Sequence, residues 1–314
     1  MNSVPIGLGI AAPKKSVDNK ELPKELDTSD EWIASRTGVR RRYIAENETT
    51  ASLATEAALA ALGHAKVSPE DIDLIVLATV TGDYTFPSTA TIVQRNIGMS
   101  KGVAFDVNAA CSGFIFALDV ADSYIKLGKA KKALVIGAET FSKILDWTDR
   151  STCVLFGDGA GAMVLQAEDS NRGVQYCKIY SDGNYADSLI TSGGVSTTQT
   201  AGFIKMNGRE VFKFAVEKFR ESLDELLRDN NMTINDVDLL VPHQANLRII
   251  KELIKFSGID EKKVLINVDK YANTSAASIP LALSEAKDAF FSGGNIVFLS
   301  MGAGYAWGSA LIRL

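Results

Sequence analysis

Apolar residues along the chain fall into two patterns, short continuous runs and longer stretches with helical spacing. Continuous runs predict buried strands over residues 72–80 and 103–107. Helical spacing predicts a helix over the alanine-rich stretch 52–63, which Gly63 would end, and another over residues 88–97. Strands that alternate with helices in this order are typical of an α/β protein with mostly parallel sheets.

A repeat in the sequence indicates that the chain contains two similar halves. Ile72–Val76 matches Val237–Val241, and Phe116–Ala121 matches Leu281–Ala286, in each case 165 positions further along. Matches at one constant offset are the signature of an internal duplication. Each half is therefore expected to contain its own sheet, with right-handed crossovers between parallel strands.

Composition and charge narrow the class of protein. The net charge of the 314-residue chain is −5, which argues against a general attraction to nucleic acid or to an anionic membrane. The three cysteines are widely spaced and form no CxxC pair, which predicts a reducing compartment and no zinc site. No apolar run approaches the roughly 18 residues of a membrane span. The first residues lack a basic leader, so we interpret them as the first strand of a cytoplasmic protein.

Cys111 is the first candidate for chemistry. It follows the strand predicted over 103–107, and Phe114–Leu127 after it is apolar on nearly every side, as in a buried helix. A cysteine at such a strand-to-helix turn faces free N–H groups and the positive end of the helix dipole, which favour the thiolate. The alternative is structural, because a free cysteine is often a small buried hydrophobe.

The duplication places two more polar residues at the same edge as Cys111. Asn108 maps on Asn273, and His243 ends the second copy of the strand that begins at Ile72. Ligands of open parallel sheets bind at the carboxyl ends of the strands. Cysteine with histidine and asparagine permits acyl transfer through a thioester, although a thiol protease uses the same residue types. Gly304, after an apolar strand, offers an N–H that can pair with that of Cys111 as an oxyanion hole.

Two further segments have a less specific pattern. Four arginines (Arg36 and Arg40–Arg42) lie close to Trp32, which suggests a phosphate-bearing ligand whose base stacks on the indole. From these residues alone, a solvated charged loop is the better explanation of the arginines. Gly157–Gly161 looks like a phosphate loop, but no Lys-Ser or Lys-Thr follows it, so we interpret it as a tight turn.

Five motifs stand in order along the chain: Asn108–Phe114, Phe156–Gly161, Val241–Asn246, Asn273–Ser278 and Gly304–Gly308. Together they closely resemble the β-ketoacyl-acyl carrier protein synthase III family of the thiolase superfamily. The resemblance runs from the first strand to the last residue. The cysteine, histidine and asparagine motifs separate this family from the elongating ketoacyl synthases, which have two histidines, and from the thiolases, which have a second cysteine.

The resemblance implies a fold, an assembly and a reaction. The fold is a five-layered αβαβα arrangement of two pseudo-symmetric halves, here residues 1–168 and 169–314, in a homodimer. The reaction passes acetyl or another short acyl group from coenzyme A to Cys111 and condenses it with malonyl-acyl carrier protein as carbon dioxide leaves. This step starts fatty acid synthesis. No metal or redox cofactor is implied, since the coenzyme A thioester is a substrate.

The resemblance also implies roles for individual residues. His243 and Asn273 would donate hydrogen bonds to the malonyl thioester carbonyl, and the amides of Cys111 and Gly304 would form the oxyanion hole. Phe86 would border the acyl pocket of the partner subunit. Residues for coenzyme A and pantetheine would be Thr28, Trp32, Arg36, Arg150, Gly208 and Asn246. The basic patch for the carrier protein would be Lys213, Arg248 and Lys251, with Lys255 added by its helical spacing.

One departure and two alternatives stay open. Tyr271–Ala272 stands where members of the family more often have His-Gly, so the pair bears on how the second substrate approaches. One alternative is a related chain-starting synthase or acyltransferase of secondary metabolism with a longer or branched acyl group. The other is a non-catalytic partner subunit, which the intact Cys111, His243 and Asn273 argue against.

Overall fold

The computed structural model describes all residues from 1 to 314. The strands are β1 (Asn2–Ala11), β2 (Lys15–Asp18), β3 (Arg41–Ile44), β4 (Leu74–Ala78), β5 (Val103–Val107), β6 (Lys132–Glu139), β7 (Gly159–Glu168), β8 (Gly173–Ser181), β9 (Leu189–Thr191), β10 (Ile204–Met206), β11 (Leu239–Pro242), β12 (Asn295–Gly302) and β13 (Ala306–Arg313). The helices are α1 (Asp30–Thr37), α2 (Thr50–Ala65), α3 (Thr89–Ile97), α4 (Gly113–Lys126), α5 (Gly208–Asp229), α6 (Leu247–Ser257), α7 (Val268–Tyr271), α8 (Ser278–Glu285) and α9 (Lys287–Phe291). No helix combines the length and the apolar character needed to cross a membrane.

Two mixed sheets have corresponding strand orders. The first has the order β1-β7-β6-β4-β5, and the second has the order β8-β13-β12-β11. In the first sheet β4 pairs in parallel with both β5 and β6, and in the second sheet β11 pairs in parallel with β12, while β7 and β13 run antiparallel to both of their neighbours. The prediction of mostly parallel sheets is therefore wrong. Each half ends with strands that fold back on the preceding one, and such antiparallel neighbours need no helical crossover.

The sheets and helices form five layers. Helices α2 and α3 cover the outer face of the first sheet, and α5 and α6 cover the outer face of the second. Between the sheets, α4 and α8 lie in a central core of 27 buried residues that receives side chains from both sheets. The αβαβα fold predicted from the resemblance is confirmed. Because α4 and α8 share this central layer, the turns at the starts of these two helices lie close together.

The duplication is visible in the backbone at the predicted offset of 165. A 3-10 turn over Ala110–Ser112 precedes α4, and an equivalent turn over Ser275–Ala277 precedes α8. The first residue of each turn has a positive φ, 46° at Ala110 and 52° at Ser275. Both residues thus adopt the left-handed conformation, which is uncommon for residues other than glycine. This equivalence supports our proposed division into residues 1–168 and 169–314.

Two local predictions are wrong for physical reasons. Helix α2 does not end at Gly63 but continues to Ala65, and Lys66 caps it with a φ of 56°. Strand β5 is not buried, because it forms the edge of its sheet and leaves Val103 50% exposed. An apolar run therefore identified a strand here without identifying its position in the sheet.

Candidate active site

Cys111 occupies the turn between β5 and α4, as the sequence predicts. Its side chain is buried and free of any disulfide. The neighbouring Ser112 hydroxyl donates a 2.8 Å hydrogen bond to the Ala306 carbonyl, which ties the turn to β13 of the other half. A Cβ added to Gly302 would lie 2.7 Å from the Cys111 nitrogen. Only glycine therefore allows β12 to approach the nucleophile turn this closely.

The environment of the Cys111 sulfur opposes its ionisation. Burial raises the pKa of Cys111 from 9.0 to about 12, the nearby Ser275 hydroxyl lowers it, and the charge of Glu139 raises it. Burial therefore opposes the thiolate that the start of a helix favours. A pKa this high leaves Cys111 as the thiol at neutral pH, so its proton must leave when the sulfur attacks.

His243 follows the last residue of β11 and is only 1% exposed. Its main-chain N–H donates to the Leu299 carbonyl at 2.7 Å, which continues the parallel ladder with β12 by one residue. Its Nδ1 lies 2.6 Å from the Ser278 hydroxyl at the start of α8. Burial lowers the pKa of His243 from 6.5 to about 3, so the imidazole is neutral at physiological pH.

Asn273 is held by the first half of the chain. Its N–H donates to the Leu155 carbonyl at 2.9 Å, and its carbonyl accepts from the Gly157 N–H at 3.0 Å. Its side-chain oxygen accepts from the Ser275 N–H at 2.8 Å. Since the oxygen of the amide is occupied, the Asn273 NH₂ group is the end left to contact a substrate.

The three candidate residues line one cavity. A narrow cavity of about 90 Å³ is lined by Cys111, His243 and Asn273 together with mainly apolar side chains. Gly208 and Asn246 line both this cavity and a wider mouth of about 430 Å³. The residues that the sequence predicted for catalysis and for pantetheine therefore lie along one path from the surface to the thiol.

The mouth contains most of the residues predicted for coenzyme A. Trp32, Arg36 and Arg150 line it, and the guanidinium carbons of the two arginines lie 4.7 and 5.4 Å from the indole centroid. Arg150 also donates to the carbonyl oxygen and carboxylate of Asp27. Thr28 does not line the mouth, and its hydroxyl is buried without a hydrogen-bond partner.

Arg42 does not belong to the arginine cluster suggested by the sequence. Its side chain is fully buried and donates to Asn19 Oδ1 at 2.8 Å and to the Val154 carbonyl at 3.1 Å. Strand β3 alternates its side chains between the two faces, so neighbouring arginines point in opposite directions. The hydrogen bond to Asn19 indicates that Arg42 has a structural role.

Arg209 is a mouth residue that sequence reasoning missed. It is exposed at the second position of α5 and lines the mouth beside Arg36, Arg150 and Arg248. Of these four, only Arg150 forms an ion pair with a carboxylate. Three uncompensated guanidinium groups and the amino end of a 22-residue helix make this mouth suitable for an anionic ligand.

A second, larger cavity lies on the other side of Cys111. Its volume is about 570 Å³, and its walls are mainly apolar. Gly304 lines it next to Cys111. Phe86 does not reach this cavity and is 84% exposed instead. The apolar walls that the sequence did not identify include Val80, Phe116, Phe141, Ile144, Phe156, Leu189 and Ile204.

The predicted basic patch lies beside the mouth. Lys213 is on α5, while Arg248, Lys251 and Lys255 are on α6, and all four side chains are exposed. Only Lys255 has an acidic neighbour within ion-pair distance, Glu252 at 3.9 Å. The patch therefore presents positive charge to solvent on two packed helices.

Glu139 is a buried carboxyl group next to the site that sequence reasoning did not identify. It ends β6, and its oxygens accept hydrogen bonds from the Thr79 and Thr81 hydroxyls at 3.2 and 2.5 Å and from the Val80 N–H. The nearby Ser275 hydroxyl favours the ionised form of both groups and so lowers the pKa of Cys111 and of Glu139. Ser275 therefore lies close to both the thiol and the carboxyl.

The unusual pair before Asn273 faces away from the site. The Tyr271 ring stacks on Tyr43 with a centroid distance of 5.4 Å and does not line the cavity. Ala272 has φ 58° and ψ −160°, a conformation that glycine adopts more readily. The bulk of Tyr271 therefore does not obstruct the approach to Cys111.

Comparisons with known proteins agree with this geometry. Models of 3-oxoacyl-[acyl-carrier-protein (ACP)] synthase III match residues 105–183 and, for its C-terminal part, residues 227–314. A β-ketoacyl-[acyl-carrier-protein] synthase III from Rhizorhabdus wittichii is 53% identical over 99% of both chains.

Solved structures show the same relationship. The 3-oxoacyl-[acyl-carrier-protein] synthase III of Aquifex aeolicus superposes with a TM-score of 0.95 at 47% identity, covering 99% of this chain and 100% of that one. The priming β-ketosynthase of the R1128 polyketide pathway superposes with a TM-score of 0.94 at 34% identity, covering 99% and 96%. By sequence, fold and motif order, the chain belongs to the 3-oxoacyl-[acyl-carrier-protein] synthase III family.

Proposed function

We propose that Cys111 is the acyl carrier through which this chain condenses a short acyl group from coenzyme A with malonyl-acyl carrier protein. The observation that carries the proposal is the meeting of Cys111, His243 and Asn273 at the closed end of one path from an arginine-lined mouth. The reaction starts fatty acid synthesis, as expected for a member of this family.

In the loading step, the Cys111 sulfur attacks the thioester carbonyl of the acyl donor. The new S–C bond forms as the bond to the coenzyme A sulfur breaks, and the thiol proton ends on the departing coenzyme A. The amides of Cys111 and Gly304 stabilise the oxyanion of the tetrahedral intermediate, a contribution that is large in a dry site. The positions of Cys111 and Gly304 next to each other on the wall of the large cavity support this arrangement.

In the condensation step, the bond between the malonyl carboxylate and the α-carbon breaks. Carbon dioxide leaves, and the electron pair of that bond forms an enolate. The enolate carbon attacks the acyl carbonyl on Cys111, and the released sulfur takes a proton. His243 and Asn273 donate hydrogen bonds to the thioester oxygen on which the charge develops. The low pKa of His243, about 3, supports this role, since a neutral imidazole can donate without holding a full charge in a buried site.

Substrate contacts follow from the charges at the surface. Trp32 and Arg150 hold the adenine of coenzyme A between them, with Arg36 nearby, and Gly208 and Asn246 line the path of the pantetheine arm. The exposed basic patch of Lys213, Arg248 and Lys251 receives the acidic carrier protein, which gives an acidic enzyme a local surface of opposite charge.

We further propose that the enzyme is a cytoplasmic homodimer that needs no metal or redox cofactor. Strand β5 supports the dimer, because it is an open sheet edge with the exposed apolar residue Val103. The 84% exposure of Phe86 supports its placement in the acyl pocket of the partner subunit. Cys111, His243 and Asn273 supply the nucleophile and the hydrogen-bond donors that both steps require.

The large apolar cavity favours a second candidate, a chain-starting synthase that accepts longer or branched acyl groups. Its volume of about 570 Å³ exceeds what an acetyl group fills. The similarity to the priming β-ketosynthase of a polyketide pathway points in the same direction. In a dimer, Phe86 of the partner subunit would occupy part of this space, so the choice of acyl group depends on that contact.

The experiment uses radiolabelled acetyl-coenzyme A and malonyl-acyl carrier protein. The purified protein should retain label on Cys111, and addition of malonyl-acyl carrier protein should release it as the acetoacetyl product. A Cys111→Ser variant that acquires label as fast as the wild type would overturn the assignment. Isobutyryl and longer acyl donors in the same assay distinguish the two candidates by their relative rates of loading.

A further inference from the structure

The hydroxyl of Ser278 has an unusual set of neighbours. It is 2% exposed, and two polar groups lie within hydrogen-bond distance of it. The Gln244 N–H donates to its oxygen at 3.4 Å, and His243 Nδ1 lies 2.6 Å away. His243 also lines the cavity that contains Cys111.

Counting protons determines which way the short hydrogen bond runs. The Gln244 N–H can only donate, so it cannot accept the proton of the Ser278 hydroxyl. A buried hydroxyl proton without an acceptor is unfavourable, and His243 Nδ1 is the one acceptor within reach. The hydroxyl therefore donates to Nδ1. A neutral imidazole that accepts at Nδ1 carries its single proton on Nε2.

We propose that Ser278 is a positioning residue that locks His243 in the Nε2–H form and so aims a hydrogen-bond donor at the malonyl thioester. The inference rests on the proposed function, in which His243 donates to the enolate oxygen. In the other tautomer, Nε2 would present a lone pair to that oxygen and oppose the developing charge. Ser278 occupies the start of α8, so the duplicated turn that carries Asn273 also orients the histidine.

The direct test is the tautomer of His243 in solution. The chain contains only two histidines, so ¹⁵N spectra of the imidazoles are simple to assign with a His64→Asn variant. His64 Nδ1 accepts from the Leu8 N–H at 3.1 Å and serves as an internal reference for an imidazole protonated on Nε2. We expect His243 to show the same tautomer in the wild type. Protonation on Nδ1 would overturn the inference.

The functional test separates the two steps of the reaction in a Ser278→Ala variant. We expect loading of Cys111 from labelled acetyl-coenzyme A to stay within about threefold of the wild type. Release of the label by malonyl-acyl carrier protein should slow by about tenfold to a hundredfold, the range found when a hydrogen-bond partner that orients a metal-ligating histidine is removed. The His243 spectrum of this variant should show both tautomers.

Two further variants complete the design. Ser278→Thr keeps the hydroxyl and should restore most of the release rate. A residue that only fills space would not give this result. Ser284→Ala removes another hydroxyl of α8 that has no hydrogen-bond partner, and it should behave as the wild type. A Ser278→Ala variant with a wild-type release rate and a single tautomer would overturn the inference. Failure of the wild type to load label would refute the proposed function instead, and the tautomer would still decide the role of Ser278.

Discussion

Replacement of Glu139 by glutamine should remove a pH-dependent loss of stability. This carboxyl group is fully buried, and burial raises its pKa from 4.5 to about 8, while hydrogen bonds from Thr81, Val80 and Thr79 oppose the rise. The folded protein therefore keeps the Glu139 proton at neutral pH. Glutamine has the same shape as the protonated acid, with an oxygen that can accept and an NH₂ group that can donate.

The sign and the size of the effect follow from proton linkage. In the unfolded chain Glu139 loses its proton near pH 4.5, whereas in the folded protein it keeps the proton until about pH 8. Between these values the unfolded state binds fewer protons, so raising the pH stabilises it relative to the folded state. The free energy of unfolding falls by about 1.4 kcal/mol per pH unit for this one group, or about 3 kcal/mol between roughly pH 5 and pH 7.5.

The assay is urea denaturation of the wild type and of Glu139→Gln at several pH values and one protein concentration. The difference between the two free energies of unfolding isolates Glu139 from the other titrating groups. As the pH rises across that range, the free energy of unfolding of the variant should increase by about 3 kcal/mol relative to that of the wild type. Glu56→Gln, an exposed substitution in the middle of α2, is the matched control and should show a difference that does not change with pH.

Cys111 gives a second readout for the same variant. The charge of Glu139 raises the pKa of Cys111, so removing it should speed alkylation of Cys111 by iodoacetamide near pH 9, followed by mass spectrometry. Parallel stability curves for the wild type and Glu139→Gln would refute the reasoning, because they would mean that the carboxyl titrates alike in the folded and the unfolded protein. Unchanged alkylation would separately show that the Glu139 charge does not act on the Cys111 sulfur.

Three further predictions concern the mouth, the basic patch and the sheet edge. Arg209→Ala should raise the KM for acetyl-coenzyme A by about tenfold with little change in kcat, because a charged hydrogen bond to a phosphate is lost, and the KM for acetyl-pantetheine should not change. Lys251→Ala should instead raise the KM for malonyl-acyl carrier protein, and equal effects of both variants on both substrates would contradict these separate roles. Val103→Asp should convert the proposed homodimer to monomers in sedimentation velocity, because it places a charge on the open edge of β5. Leu127→Asp, which changes another exposed apolar residue just after α4, should leave the proposed dimer intact, and an unchanged sedimentation coefficient for Val103→Asp would exclude this edge as the interface.

The sequence was sufficient for features that depend on local pattern and on the repeat. The strand, turn and helix around Cys111 follow from apolar runs that change period over a few residues. The constant offset of 165 then located the equivalent turn at Asn273 and the strand end at His243, and the structure brings all three to one cavity. These predictions succeeded because a duplicated half repeats its topology, and equivalent strand ends meet at one edge.

Local pattern failed where the position of an element in the fold decides its environment. The apolar run of β5 predicted a buried strand, but its place at the sheet edge leaves Val103 half exposed. Arg42 looks like its neighbours in the sequence, but strand alternation turns it into the core. Gly63 is a plausible helix end, but α2 packs against the first sheet and continues two residues further, to Ala65.

The electrostatics of the site were decided by tertiary structure alone. The ionisation of a thiol depends on how much water it has lost and on which charges surround it, and no sequence pattern near Cys111 reports either quantity. Glu139 and Ser275 act on Cys111 from opposite halves of the chain, and the Ser278 hydroxyl contacts His243 from 35 residues away. The sequence by itself therefore determined which groups meet in one cavity, while the packing of the two halves decided their protonation and hydrogen-bond partners, because both depend on neighbours that are distant in the chain.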